Sequence, residues 1–347
     1  MTEQHRTDEQ TTKVHEDHHL LKTAATIGRS LEQPNPLIYW SDLLTSAGAG
    51  YASLFLLLVQ PLDRWSPLFA MLSLLLLYRA ESFIHELTHV SRGRLPCFHG
   101  AWNILVGIPL LTPSFLYEGV HNLHHSRTVY GTSRDPEYLP LAGTGRARIC
   151  IFLLSSTLAP FALLIRFALL GPLSLLHPSL RGRVIVRMSA LAINPGYRRA
   201  YPDARLASRW RIQEAATTIW SWTLIGVSIA SAKAMQQVLM GLLLLSAIAL
   251  LNQLRTLVAH SWSNSDGTRM NLTEQYLDSV NIPPPAIGPA LWAPVGLRYH
   301  ALHHLLPAVP YHHLPAAYRE ISRLLGRHST LSRADYAGWK EAIHSWW

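Results

Sequence analysis

Three short segments of this chain carry histidine at helical spacing. His85-Glu86-Leu87-Thr88-His89 sets two imidazoles four residues apart. His121-Asn122-Leu123-His124-His125 and His300-Ala301-Leu302-His303-His304 each set three, at i, i+3 and i+4. On a helix these positions share one face. Each segment can therefore aim two or three ring nitrogens at one point. Imidazole suits iron, zinc, copper and nickel. The clusters hold too many donors for one zinc, which takes four ligands. Two irons, each with four or five nitrogens and an open position for oxygen, would use them. His260 is a further candidate, because it ends a long apolar run at Arg255-Thr256-Leu257-Val258-Ala259-His260. An ionisable residue there is functional by default. The expected metal ligands are His85, His89, His121, His124, His125, His260, His300, His303 and His304.

The remaining histidines have plainer readings. His312 and His313, in Pro310-Tyr311-His312-His313-Leu314-Pro315, are expected to support or pack. His99, His177, His328 and His344 are isolated. His15-Glu16-Asp17-His18-His19 repeats the spacing inside a charged segment far from any apolar run, which reads as chance recurrence. Spacing alone is weak; spacing beside apolar runs is informative.

Those apolar runs must position the clusters. Hydrophobic residues make up 49% of the chain and charged ones 15%, against about 25% charged in soluble domains. That balance points to a bilayer. The net charge of +9 could suit nucleic acid or membrane. The basic residues lie between apolar runs, so membrane is expected and nucleic acid is not. Cys97 and Cys150 are too few for a disulfide framework or a cysteine zinc site, and free thiols are expected. Residues 1–35 are polar, without the apolar core of a signal peptide, and read as a mobile cytoplasmic tail.

Apolar runs at 43–60, 67–87, 215–229 and 238–259 suit spans of about 20 residues, the third marginally. They imply an all-α integral membrane protein with four transmembrane helices paired as two hairpins. The stretch 101–116 is short and holds Pro109 and Pro113. The stretch 149–176 is long enough, but contains Pro160, Arg166 and Pro172. A central arginine facing lipid is costly. If the second and third histidine clusters share one centre, the chain between them crosses an even number of times. Residues 149–176 should then lie at the interface or re-enter. Of the Lys and Arg residues, only Arg64 and Lys233 fall in the short hairpin loops. The positive-inside rule places the opposite side, with all three clusters and both termini, in the cytoplasm. The expected organisation is a tail (1–35), a membrane enzyme domain (36–320) and a C-terminal cytoplasmic segment (321–347), with the bacterial inner membrane as the expected location.

With these clusters in place, the chain resembles the membrane fatty acid desaturase family over roughly residues 36 to 320. His85–His89, His121–His125 and His300–His304 match its three histidine boxes in order and placement. The likeness extends to Tyr130-Gly131-Thr132, to Asp135-Pro136-Glu137-Tyr138 and to the run from Trp292 to Leu314. The resemblance implies four spanning helices, a cytoplasmic helical cap and nine histidines holding two irons. It also implies an acyl chain in a kinked tunnel. Two departures stand out. Thr256 occupies a position where family members can carry asparagine, and the third box opens with His300 rather than glutamine. A separate electron donor of ferredoxin, rubredoxin or cytochrome type is expected.

The chemistry follows. A methylene has no acid–base route to hydrogen loss, so an activated metal–oxygen centre is needed. Desaturation of a lipid or acyl-thioester chain with O₂ is the expected reaction. Hydroxylation, ketone formation or acetylene formation within the superfamily is the alternative. Glu86, Asp135, Glu137 and His312 are expected to support ligand imidazoles. Arg79 and Arg255 could anchor a polar head or pair with Glu81. His85-Glu86-Leu87-Thr88-His89 also fits a zinc protease motif with Glu86 as base, but that leaves two clusters unexplained.

Overall fold

The computed structural model describes residues 15, 17–326 and 328–344. Among them there is no strand, only three isolated bridges. The helices that position the site begin with α1 (His18–Ser30), α2 (Pro36–Val59), α3 (Ser66–His89), α4 (Phe98–Trp102) and α5 (Val120–His124). A broken helical run, α6 (Arg146–Ser174), is followed by α7 (Pro178–Met188), α8 (Ala204–Ala230) and α9 (Ala232–Ala259). Last come α10 (Leu272–Asp278), α11 (His300–Leu305) and α12 (Leu314–Leu325).

Local chemistry sets the ends of the long helices. The Asn35 side chain accepts from the Leu37 amide, and Pro36 occupies the first turn, where its missing N–H costs nothing. Pro67 does the same for α3. α2 and α3 pack together through Leu43, Ala47 and Leu77. Gly50 lets them close: a Cβ there would lie 2.8 Å from Leu77 Cδ2 and 3.1 Å from the Leu77 backbone nitrogen. Leu44, Phe55, Met71 and Leu72 face outward, as a lipid-exposed surface requires. Ser231 alone separates α8 from α9, which pack against each other, and its hydroxyl accepts from the Ala234 amide.

Among the described residues, four helices are long and apolar enough to cross a membrane: α2, α3, α6 and α9. Three contain expected runs. The fourth differs. The expected run 215–229 lies in α8, whose first half carries Arg205, Arg209, Arg211 and Glu214, and this helix is not among the four. α6, expected at the interface, meets the criterion instead. Its central Arg166 does not face lipid. It lies 2.7 Å from Glu214 on α8, bonds the Met188 carbonyl and the Ser189 hydroxyl, and sits over the Phe167 ring. Arg181 on α7 shares Glu214 at 2.6 Å. The run meets α9 at Gln253 and then at Ser246, and meets α8 at Thr218 and Glu214. These contacts stay away from the Ser231 end of the α8–α9 pair.

The expectation of a mobile tail needs correction. Residues 1–14 and 16 lie outside the described residues, but 18–30 form α1. Leu20, Ala24, Ile27 and Leu31 make an apolar stripe at helical spacing, packed on α11 and α12. Asp17 caps α1 by accepting from Leu20, and receives 2.6 Å from Thr330; its own amide donates to Thr273. The C-terminal segment is docked as well. Leu331 and Ala334 are buried in the same cluster, and Asp335 accepts from Tyr318 and Asn281.

Candidate metal centre

Each histidine cluster sits where a helix ends or begins. His85 and His89 occupy the last two turns of α3. α5 follows Gly119, whose φ of 80° suits glycine, and carries His121 and His124, with His125 as its cap. α11 carries His300, His303 and His304. His260 caps α9 in extended conformation and bridges to Ser279. Two residues on, Trp262 takes a φ of 57° and packs 5.0 Å from the His260 ring.

All nine expected histidines converge, in two adjacent groups. His85, His89, His121, His125 and His303 form one; His124, His260, His300 and His304 form the other. Within each group the candidate ligand atoms lie within 4.8 Å of one another. The His125 and His304 rings stack at 4.3 Å across the two groups. The nitrogens crowd in a telling way. Nε2 atoms face each other at 2.9 Å (His121, His125), 3.1 Å (His89, His303), 3.0 Å (His260, His300) and 3.2 Å (His300, His304). Two nitrogens each about 2.1 Å from one ion, at right angles, stand about 3 Å apart. Both His85 nitrogens are buried without a partner. The donor set therefore fits two metal ions.

Electrostatics favour the same reading. Burial, then the neighbouring imidazoles, holds His121, His125, His300, His303 and His304 well below the usual histidine range. His260 is lowered by burial, His124 and Arg255. Neutral imidazole is the ligating form. His124 differs: burial opposes its charge, but the carboxylates of Asp135, Glu137 and Asp278 together raise it.

Behind the rings stands a set of hydrogen-bonding groups. His124 Nδ1 lies 3.0 Å from both Asp135 oxygens. His121 Nδ1 lies 2.5 Å from Glu137 Oε2 and 2.9 Å from the Tyr117 hydroxyl. Burial pushes the Glu137 carboxyl up to about 7, against the pull of His124. His260 Nδ1 is 3.0 Å from the Tyr130 hydroxyl, which donates to Asp278 at 2.9 Å. Such partners fix the tautomer and turn Nε2 toward a metal.

Two expected supporters make no hydrogen bond to an expected ligand imidazole. Glu86 accepts from the Tyr39 hydroxyl and the Tyr311 amide, and is 3.8 Å from His85 Nδ1, beyond hydrogen-bond reach. It is not placed as a protease base. His312 accepts from the Asn35 amide and meets the edge of Tyr39, outside both groups. Sequence reasoning missed Tyr117, Asp278 and the role of Tyr130. Tyr130 was visible within the resemblance; Asp278 carried no motif signal.

A cavity of about 390 Å³ opens on both groups, touching His85, His121, His124, His260 and His300. Phe152, Leu163, Leu245 and Ile248 supply apolar wall, and Thr256 faces it. Its volume falls in the range of small-molecule sites.

Comparison with known proteins agrees. The family model for fatty acid desaturase matches residues 63–335. A relative described as ceramide hydroxylase, from Caulobacter vibrioides (strain NA1000 / CB15N), is 45% identical over 331 residues, covering 95% of this chain and 94% of the relative. No solved structure matches the chain. The chain belongs to the fatty acid desaturase family and is an integral membrane oxidoreductase.

Proposed function

We propose that the protein hydroxylates an unactivated C–H bond of a ceramide-type lipid, using O₂ at a histidine-held di-iron centre. The observation that carries this is the pair of adjacent histidine groups opening on one largely apolar cavity. The choice of hydroxylation over the desaturation first expected from sequence is supported by the 45% identical ceramide hydroxylase. Desaturation is the second reading, favoured by the family match alone.

His85, His89, His121, His125 and His303 would hold one iron; His124, His260, His300 and His304 would hold the other. The irons, when bound, supply the oxidising power to break a bond that no acid or base can open. The chain does the rest. Asp135, Glu137 and the Tyr130–Asp278 pair hold the Nδ1 protons. Phe152, Leu163, Leu245 and Ile248 keep water from the reacting chain. Hydroxylation consumes O₂, two electrons and two protons and returns one water, so a separate electron-transfer protein of ferredoxin, rubredoxin or cytochrome type is required.

In this proposal α2–α3 and α8–α9 cross as hairpins, α6 re-enters, and the metal side with both termini faces the cytoplasm of a bacterial inner membrane. The test is expression in a host lacking the activity, with lipid mass spectrometry. A gain of one oxygen is expected. Loss of two hydrogens would establish the second reading, and no lipid change from iron-loaded protein would end both.

A further inference from the structure

The cavity wall is not uniformly apolar. Glu81 on α3 and Arg255 on α9 both line it, with Asn252 and Gln253 beside them. Neither charge has an ion pair among the described residues. Arg79, two residues before Glu81, pairs with Asp42 at 2.5 Å. Arg255 bonds Asn252 Oδ1 at 3.0 Å on its own helix and meets the neutral Tyr78 hydroxyl, and its Nε is buried without a partner. Charges left unpaired inside membrane helices are expensive and mark functional sites.

Their position is informative. Glu81 lies four residues before His85, and Arg255 five before His260. At helical rise that is about 6–8 Å along the axes from the metal ligands, the length of about five or six methylenes. Their chemistry is informative too. A carboxylate or phosphate head would meet Glu81, and a cationic head would meet Arg255. A neutral head carrying both donors and acceptors satisfies both.

We infer that Arg255 and Glu81 form a recognition site for a neutral amide- and hydroxyl-bearing lipid head inside the cavity, which places oxidation on carbons close to that head. Arg255 donates to a head oxygen, and Glu81 accepts from a head N–H or O–H. Both are positioning residues: they set the register of the chain against the metal centre. The inference rests on the lipid-oxidising reading above, and its test separates the two.

The full-length, iron-loaded protein in phosphatidylcholine nanodiscs is titrated, without reductant, with an N-acyl sphinganine and with a methyl ester of matched chain length. Wild type should bind the amide more tightly. Arg255→Met should weaken amide binding about tenfold or more, the scale of a lost charged hydrogen bond, and ester binding less, because an ester oxygen is the weaker acceptor. Arg255→Lys should recover part of the loss. Glu81→Gln, nearly isosteric, should also weaken the amide and carries the test if Arg255→Met does not fold. Iron content and elution volume check each variant. Unchanged amide binding in the folded variants, or no preference in wild type, overturns the inference. Turnover with reductant is read separately, by fragmentation of the product. A new hydroxyl near the amide supports the inference; one at mid-chain or the methyl end overturns it. Preferential binding with no oxidised product sinks the proposed function alone.

Discussion

Asp135 and Glu137 stand two residues apart and serve histidines of different groups. Asp135 meets His124, and Glu137 meets His121. One short loop thus sets ring orientation on both sides of the centre. Asp135 is itself held, accepting from the Gly131 and Glu137 amides. Removing such a partner costs about 10–100-fold in metal affinity. Asp135→Asn and Glu137→Gln should each weaken iron retention on that scale in a chelator competition, while the purified protein stays monodisperse; undiminished retention would show that ring packing alone holds the imidazoles. These two carboxylates were legible in the sequence because they follow the second cluster closely. The Tyr130–Asp278 contact was not, because it joins residues 148 apart. Glu86 shows the limit of sequence neighbourhood: it sits beside an expected ligand, 3.8 Å from His85 Nδ1, yet its hydrogen bonds go to Tyr39 and Tyr311.

At the level of helices, apolar length was a good guide where charge was absent. α2, α3 and α9 follow directly from it. α6 and α8 did not, because the partner of Arg166 is Glu214, on another helix. A window along the chain sees the arginine and cannot see what neutralises it. α1 escaped notice for a related reason: its stripe of Leu20, Ala24, Ile27 and Leu31 is thin, and its value depends on the surface it meets. The α2–α3 contact gives a direct test. Gly50→Leu would force side-chain atoms against the Leu77 backbone. Overpacking of this kind costs about 1–3 kcal/mol, so the thermal midpoint of detergent-solubilised protein should fall. An unchanged midpoint would show that the two helices can part without loss.

For the whole molecule, the proposed sidedness has a built-in reporter. Cys97 and Cys150 are exposed free thiols. Cys97 follows α3 at its histidine-bearing end. In a Cys150→Ser background, a membrane-impermeant maleimide should label Cys97 only after cells are opened; labelling of intact cells would reverse the orientation. The same long-range assembly constrains how the protein can be made. The seat of α1 includes Thr273, Leu306 and Thr330, so the helix that leaves the ribosome early waits for a surface synthesised much later. Neither histidine group closes without a residue from α11. When α2 and α3 have been made, the chain therefore carries only His85 and His89 of the two groups, and closing either group belongs to the final stage of biogenesis, after translation has passed His304.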